Sequence, residues 1–281
     1  MQEDIFTSQQ FTATGGFTSG IEGPACDRDG NLYAVNFARQ GTIGRVTPGG
    51  ECAVFVELPE GSIANGIRFN RAGDTMFVAD YTAHNVLAID LATRAVMVHA
   101  HEGTANQPND LAIDGDDNLY ASDPNWGAGT GQLWRIGPDR RFTLLERDMG
   151  TTNGIEVDLQ RRILYVNESR QRNIWAYDIL PGGDLSGKRL LLAFPDFGFD
   201  GMRADIAGNL YVTRHGKGTV VVVSPDGAIL REIPVSGTDC TNVAFGGPDG
   251  RTCYVTIADR GAIDFFRTEL PGQSWQMFDR A

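Results

Sequence analysis

Six polar side chains that carry oxygen atoms recur along the chain at intervals of 42 to 47 residues. Two are carboxylates and four are amides, and none is lysine, arginine or histidine. We call these positions the anchors, and they are Glu22, Asn65, Asn109, Asn153, Asp200 and Asn242. Carboxylate and amide oxygens are the ligands that hard divalent cations such as Ca²⁺ and Mg²⁺ prefer. If the fold brings the anchors together, they predict a metal site.

Each anchor opens a similar unit of sequence, which indicates an internal repeat. A short apolar segment and a turn rich in Gly, Asp and Asn lead to a second apolar segment, whose central aromatic follows the anchor by 11 or 12 residues. Such turns are typical of β-hairpins. Two further β-rich stretches follow, as at 86–89 and 95–98. Four strands in each of six units predict an all-β fold, a six-bladed β-propeller, formed by residues 1–281 as one domain.

The two ends of the chain complement each other in this repeat. The last unit, which ends near Phe265 and Trp275, lacks an outer strand, whereas the chain begins with a spare apolar segment around 6–14. We therefore predict that an N-terminal strand closes the ring by joining the last blade.

In a propeller, equivalent positions of all blades meet around the central axis, so the anchors should converge there. We expect one divalent cation, with Ca²⁺ the first choice and Mg²⁺, Mn²⁺ or Zn²⁺ as alternatives. Two carboxylates, Glu22 and Asp200, would balance its charge. The alternative is that Asn-Gly and Asp-Gly pairs merely form tight turns where strands begin.

Other polar residues near the predicted axis are candidates for binding a substrate. Asp123 ends an apolar strand, His215 follows an inner strand of the fifth unit, and Asn65 and Asn109 are anchors. We predict that these four contact a substrate. For the residues at strand ends, the alternative is that they face solvent.

Four stretches of sequence together resemble a known family. They are Ile21-Glu22-Gly23-Pro24-Ala25, Gln107-Pro108-Asn109-Asp110-Leu111, Thr152-Asn153-Gly154-Ile155 and Phe199-Asp200-Gly201-Met202-Arg203. They resemble the senescence marker protein, gluconolactonase and luciferin-regenerating enzyme family. The resemblance implies a six-bladed propeller with one axial divalent cation held by Glu22, Asn153 and Asp200. It also implies that Asn109 faces the metal or its water.

The family resemblance implies a metal-dependent hydrolase, a lactonase that opens a small lactone. Asp200 would be the catalytic base for the attacking water, and Asn109, the second catalytic residue, would position the substrate together with Asp123. Family members that act on sugar lactones often carry an arginine shortly before the third anchor, where this chain has Gln107-Pro108. Hydrolysis of phosphotriesters on the same metal, or a ligand-binding propeller without catalysis, are the alternatives.

Composition narrows the range of partners. The formal net charge of −12 disfavours nucleic acid and anionic membranes, so we expect a small-molecule partner. The N-terminal residues lack the basic and apolar pattern of an export signal, and the four cysteines are widely spaced. We therefore expect a cytoplasmic protein with reduced cysteines. The sequence leaves the oligomeric state open.

Overall fold

The computed structural model describes residues 5–278 and consists almost entirely of strands. They form six antiparallel sheets of four strands in a ring, which confirms the predicted six-bladed β-propeller. Residues 1–4 and 279–281 of the predicted 1–281 domain lie outside the described part.

Five blades are meanders whose strands follow one another outwards from the axis, and the sixth also takes a strand from the N-terminus. The strands are, blade by blade, β2 (Phe17–Cys26), β3 (Leu32–Phe37), β4 (Thr42–Val46) and β5 (Cys52–Glu57); β6 (Ala64–Phe69), β7 (Thr75–Asp80), β8 (Asn85–Asp90) and β9 (Val96–His101); β10 (Leu111–Ile113), β11 (Leu119–Asn125), β12 (Thr130–Ile136) and β13 (Phe142–Met149); β14 (Thr152–Asp158), β15 (Ile163–Glu168), β16 (Asn173–Ile179) and β17 (Leu185–Ala193); β18 (Met202–Ala204), β19 (Leu210–Arg214), β20 (Thr219–Val223) and β21 (Ile229–Pro234); and β22 (Cys240–Gly246), β23 (Thr252–Ile257), β24 (Ala262–Arg267) and β1 (Gln9–Gln10).

Burial falls steeply from the axis to the rim of each blade. All seven residues of the innermost strand β14 are buried, whereas five of the six residues of the outermost strand β21 are exposed. Inner strands are covered on both faces by the neighbouring blades, which is why their burial does not alternate along the strand, even where β14 carries polar residues. The buried apolar side chains form clusters that each join two adjacent blades. Packing between blades therefore supplies the core.

The first hairpins of blades one, three and five share a turn built on a buried aspartate. In each of these blades an aspartate directly follows the first strand and accepts hydrogen bonds from an asparagine four residues later. In blade three this aspartate is Asp114, which also accepts from the Asp116 backbone N–H and the Tyr120 hydroxyl. The buried carboxylate thus ties the turn to the aromatic of the next strand.

The N-terminal strand closes the ring as predicted. Gln9 and Gln10 pair antiparallel with Phe265 and Asp264 of β24, and the backbone N–H of Phe11 donates to Ile263. The paired segment is shorter than the predicted 6–14. Phe11 then leaves the sheet edge to pack on Tyr254 with 5.0 Å between ring centroids.

A short helix that the sequence analysis did not predict lies at one end of the axis, α1 (Gln273–Met277). The Gln273 side chain accepts from Leu159 of blade four, Gly272 pairs with Asp205 of blade five, and Phe278 packs on Phe69 of blade two. This C-terminal segment therefore crosses that end of the axis. Within residues 5–278, no helix is long and apolar enough to cross a membrane.

We predict that Asp114→Ala lowers the free energy of unfolding by about 3 kcal/mol, because it leaves several buried donors without an acceptor. Urea denaturation of the purified protein measures this loss. The matched control is Asp116→Ala, which removes an exposed carboxylate two residues away and should cost under about 0.5 kcal/mol. Equal losses in the two variants would show that the Asp114 turn does not stabilise the blade.

Candidate metal centre

The anchors are aimed at the axis by irregularities in the innermost strands. In blades one, two, four and six the pairing of the first two strands shifts register at the anchor. The asparagine or aspartate anchors of blades three and five lie just before β10 and β18. Bulges of this kind redirect a side chain out of the regular alternation of a strand. Here they turn the anchors inward.

The glycine after an anchor is required by close contact between blades. A Cβ at Gly23, whose φ is +56°, would lie 2.0 Å from the carbonyl oxygen of Asn65 in the next blade. At Gly154 a Cβ would lie 2.3 Å from the carbonyl oxygen of Asp200. The Gly154 N–H instead donates to that oxygen at 3.2 Å. These two glycines lie at register shifts of the innermost strands and not in hairpin turns.

Two carboxyl groups from opposite parts of the sequence meet at the axis. The carboxyl group of Asp200 in blade five contacts that of Glu22 in blade one and the side-chain amide of Asn153 in blade four. Burial and the charge of Asp110 raise the pKa of Glu22 to about 7. Burial and the charge of Glu22 raise the pKa of Asp200 well above its usual range. Buried carboxylates in contact repel one another, and a cation relieves that repulsion.

Amide groups surround the two carboxyl groups. The Asn153 amide nitrogen donates to Ser169 Oγ at 3.0 Å, which fixes the plane of that amide. The Asn242 amide nitrogen donates to Glu22 Oε2 at 2.9 Å, while its oxygen accepts from the Val243 N–H. The buried Oδ1 atom of Asn65 has no hydrogen-bond partner among residues 5–278.

These groups fit a hard divalent cation. The donors are oxygens, two of them carboxylates, and the orphaned Asn65 Oδ1 belongs to the same group. Calcium binds such mixtures of carboxylate and amide oxygen. Within the described part of the chain, no three His, Cys, Asp or Glu side chains cluster in a metal-binding arrangement, so amides are needed to complete a ligand set.

A cavity of about 370 Å³ opens above the carboxyl groups. Of the predicted site residues, Glu22, Asn65, Asn109, Asn153 and Asp200 all line it. A second cavity of about 420 Å³ adjoins it and shares Asn153, Asp200 and Trp126. His215 is exposed and lines this second cavity. Trp126, which separates the two cavities, was not singled out from the sequence, because nothing in the repeat marks the residue after a strand end as axial.

Asp123 lies behind the cavity wall. It is fully buried, and its carboxylate accepts from the backbone N–H groups of Asn106 and Gln107 and from the Trp134 indole N–H at 2.8 Å. It lines neither of the two cavities. This position does not support the predicted contact between Asp123 and the substrate. Asp123 instead holds the loop that leads to Asn109.

A buried charge network lies on the axis beneath the anchors. Arg68 contacts Asp110 and Glu156 at 3.2 Å, and Arg203 contacts Asp110 at 3.1 Å. Burial disfavours ionisation of Asp110, but the charges of Arg203 and Arg68 outweigh it and hold the pKa of Asp110 below its usual range. The sequence analysis missed this network. Its signal was available, since Arg68, Glu156 and Arg203 each follow an anchor by three residues.

We predict that Arg203→Met lowers the free energy of unfolding by about 3 to 5 kcal/mol, because it leaves buried Asp110 short of one cationic partner beside two other carboxylates. Urea denaturation measures the loss. Arg189→Met is the control, because Arg189 pairs with Asp178 on an exposed strand and should cost no more than about 1 kcal/mol. A loss for Arg203→Met as small as that for the control would show that the buried charge network contributes little to the free energy of unfolding.

A ring of six blades with carboxylates and amides converging on its axis defines a class of propellers with an axial site. Residues 92–259 match the family described as SMP-30/Gluconolactonase/LRE-like region, and the chain belongs to this family. The resemblance noted in the sequence is thereby confirmed.

Several named proteins are similar to this chain over most of its length. A gluconolactonase of Zymomonas mobilis is 26% identical, over 84% of this chain and 76% of that protein. Pentonolactonase XacC of Haloferax volcanii is 30% identical, over 86% of this chain and 68% of that protein. Diisopropyl-fluorophosphatase of Loligo vulgaris is 26% identical, over 90% of each chain. The structure of a luciferin-regenerating enzyme shares the fold, with a TM-score of 0.82, 20% identity and coverage of 95% of this chain and 97% of that one.

Proposed function

We propose that the protein is a lactone hydrolase that works with one divalent cation, Ca²⁺ being the first choice. The observation that carries this proposal is the contact of Glu22 and Asp200 beside Asn153 at the floor of an open cavity. Two relatives whose names state a lactonase activity support the reaction class. A lactone is small enough for a cavity of about 370 Å³.

Glu22, Asn153 and Asp200 would hold the cation, with Asn109 beside them. When bound there, the cation would polarise the lactone carbonyl and stabilise the negative charge that develops on its oxygen. Side chains would orient the lactone and transfer the proton. Asn109 and Asn65 present amides to the cavity and would orient the lactone by hydrogen bonds.

Asp200 would act as the general base. Its carboxylate takes a proton from the attacking water as the water oxygen bonds to the lactone carbonyl carbon. The ring C–O bond then breaks, and the ring oxygen leaves as a hydroxyl after taking up that proton. The product is a hydroxy acid, and Asp200 returns to its starting state.

The loop that leads to Asn109 forms part of the wall of the first cavity, since Gln107 lines it. Asp123 holds this loop through the N–H groups of Asn106 and Gln107. Tyr81 and Gln107 line the same cavity, and neither carries a formal charge at neutral pH. This part of the cavity suits the hydroxyl groups of a sugar-like lactone.

We predict that chelator treatment abolishes lactone opening, and that Ca²⁺ restores it in the wild type but not in Asp200→Asn. The loss in that variant should be about 100-fold or more in kcat. The control is Asp226→Asn, an exposed carboxylate in an outer turn of the same blade, which should keep wild-type turnover.

Metal binding is measured separately from turnover, by calorimetry and by the rise in Tm on adding Ca²⁺. Glu22→Gln should weaken both signals. If the wild type binds Ca²⁺ tightly but opens no lactone, the ligand-binding alternative is correct. If Ca²⁺, Mg²⁺, Mn²⁺ and Zn²⁺ all fail to bind, the metal site itself is wrong.

Phosphotriester hydrolysis is the second candidate, because the similarity to the Loligo vulgaris protein named diisopropyl-fluorophosphatase extends over 90% of this chain and 90% of that protein. The same base and the same cation would serve attack of water on phosphorus. Turnover of a phosphotriester and a lactone by one calcium-loaded preparation decides between them. A kcat/KM at least tenfold higher for the phosphotriester would overturn the lactonase proposal.

A further inference from the structure

The two cavities that meet at Asp200 differ in charge. The first is lined by amides, hydroxyls and Tyr81 around the metal-binding carboxylates. The second is lined by Arg170, Arg172 and His215, and Asp200 is the only carboxylate among its lining residues. On a chain with a formal net charge of −12, a wall with two arginines and one histidine is a marked local exception. It suits an anion.

The two arginines are not neutralised by acidic side chains. Neither Arg170 nor Arg172 forms an ion pair with a described residue, and the buried Nε of Arg172 lacks a hydrogen-bond partner. The Arg170 guanidinium instead lies 5.9 Å from the ring centre of Trp126, the residue shared by both cavities. Arg172 is partly buried and lines the cavity, and no carboxylate among the described residues forms an ion pair with it. A guanidinium in this setting binds carboxylate, sulfonate or phosphate groups in a two-pronged manner.

Another part of the wall of the second cavity, the segment with Phe197, Gly198 and Phe199, is held by a buried arginine. The fully buried Arg214 stacks on Phe194 at 3.9 Å and donates to the backbone oxygen and carboxylate of Asp196. These contacts fix the segment 194–199. Phe197, held at a φ of +45° and 46% exposed, stands at the mouth of the cavity.

We propose that the substrate carries an anionic group which Arg172 binds, with Arg170 and His215 beside it, while the lactone ring lies over Asp200. This inference rests on the proposed lactonase function and specifies its substrate class. The anionic group is a carboxylate, sulfonate or phosphate attached to the lactone. Trp126 packs between the anion and the reacting ring, since it lines both cavities.

The experiment compares two lactones that differ only at one end. D-Glucaro-1,4-lactone carries a carboxylate where D-glucono-1,4-lactone carries a hydroxymethyl group. We expect the calcium-loaded wild type to show a kcat/KM at least about tenfold higher for the glucarolactone, and Arg172→Gln to abolish that preference by lowering kcat/KM far more for the glucarolactone than for the gluconolactone. Added KCl should raise the KM of the anionic lactone only. Glucono-1,5-lactone and its 6-phosphate test the phosphate arm in the same way.

A second cavity variant and a control variant complete the experiment. Arg170→Gln changes an exposed side chain and should reduce the preference several-fold even if Arg172→Gln fails to fold. Arg189→Gln, on an exposed outer strand of the same blade, should leave the preference unchanged. Equal kcat/KM for the two lactones, with no effect of KCl or of either cavity variant, would overturn the inference and leave the lactonase function standing.

If neither lactone is opened, the proposed function fails while the anion site is still tested by binding. Calorimetry then compares D-glucarate, which has an additional carboxylate, with D-gluconate. Tighter binding of glucarate that is lost in Arg170→Gln supports the site. Equal binding of both acids refutes it.

Discussion

The innermost strands approach one another so closely around the axis that no side-chain carbon fits at several points between them. Gly23 and Gly154 occupy two of these points, and a carbonyl oxygen of the next blade lies only 2.0 and 2.3 Å, respectively, from where a Cβ would be. The Gly154 N–H uses that closeness to bond the neighbouring blade. Because each glycine follows an anchor, the same crowding that joins the blades also sets the anchor side chains at one level. The ring and the site therefore share one geometric cause.

Charge along the axis is arranged in two layers. The upper layer holds Glu22 and Asp200, and the lower layer holds Arg68 and Arg203 with Asp110 and Glu156. When all are ionised, four carboxylates face two guanidinium groups, which leaves a formal charge of minus two. One divalent cation in the upper layer would neutralise it. The lower layer carries its own positive charge in arginine side chains, so the proposed cation serves the cavity side of the axis.

The sequence predicted the fold and the anchors because both depend on a repeat. The repeat marks all six anchors by their shared position, which repetition reveals without any structure, whereas the choice of Glu22, Asn153 and Asp200 among them came from the family resemblance. Asp123 was harder, since a polar residue at a strand end looks the same whether it faces a ligand or, as here, accepts hydrogen bonds from a loop. Trp126 and Arg172 lie outside the repeated positions. Their position at the cavity depends on how adjacent blades pack, and the amino-acid sequence alone does not reveal this packing.

The closure of the ring has a consequence for the site. Blade six is completed by the two paired residues Gln9 and Gln10, a much shorter strand than the fourth strand of any other blade. The boundary between blades six and one is also where the Asn242 amide bonds Glu22. Fraying of blade six should begin at this short outer strand, and an opening that spreads inwards to the boundary with blade one would break the bond between Asn242 and Glu22. A cation held by Glu22 would oppose that opening. Binding of the cation and closure of the ring are therefore thermodynamically coupled.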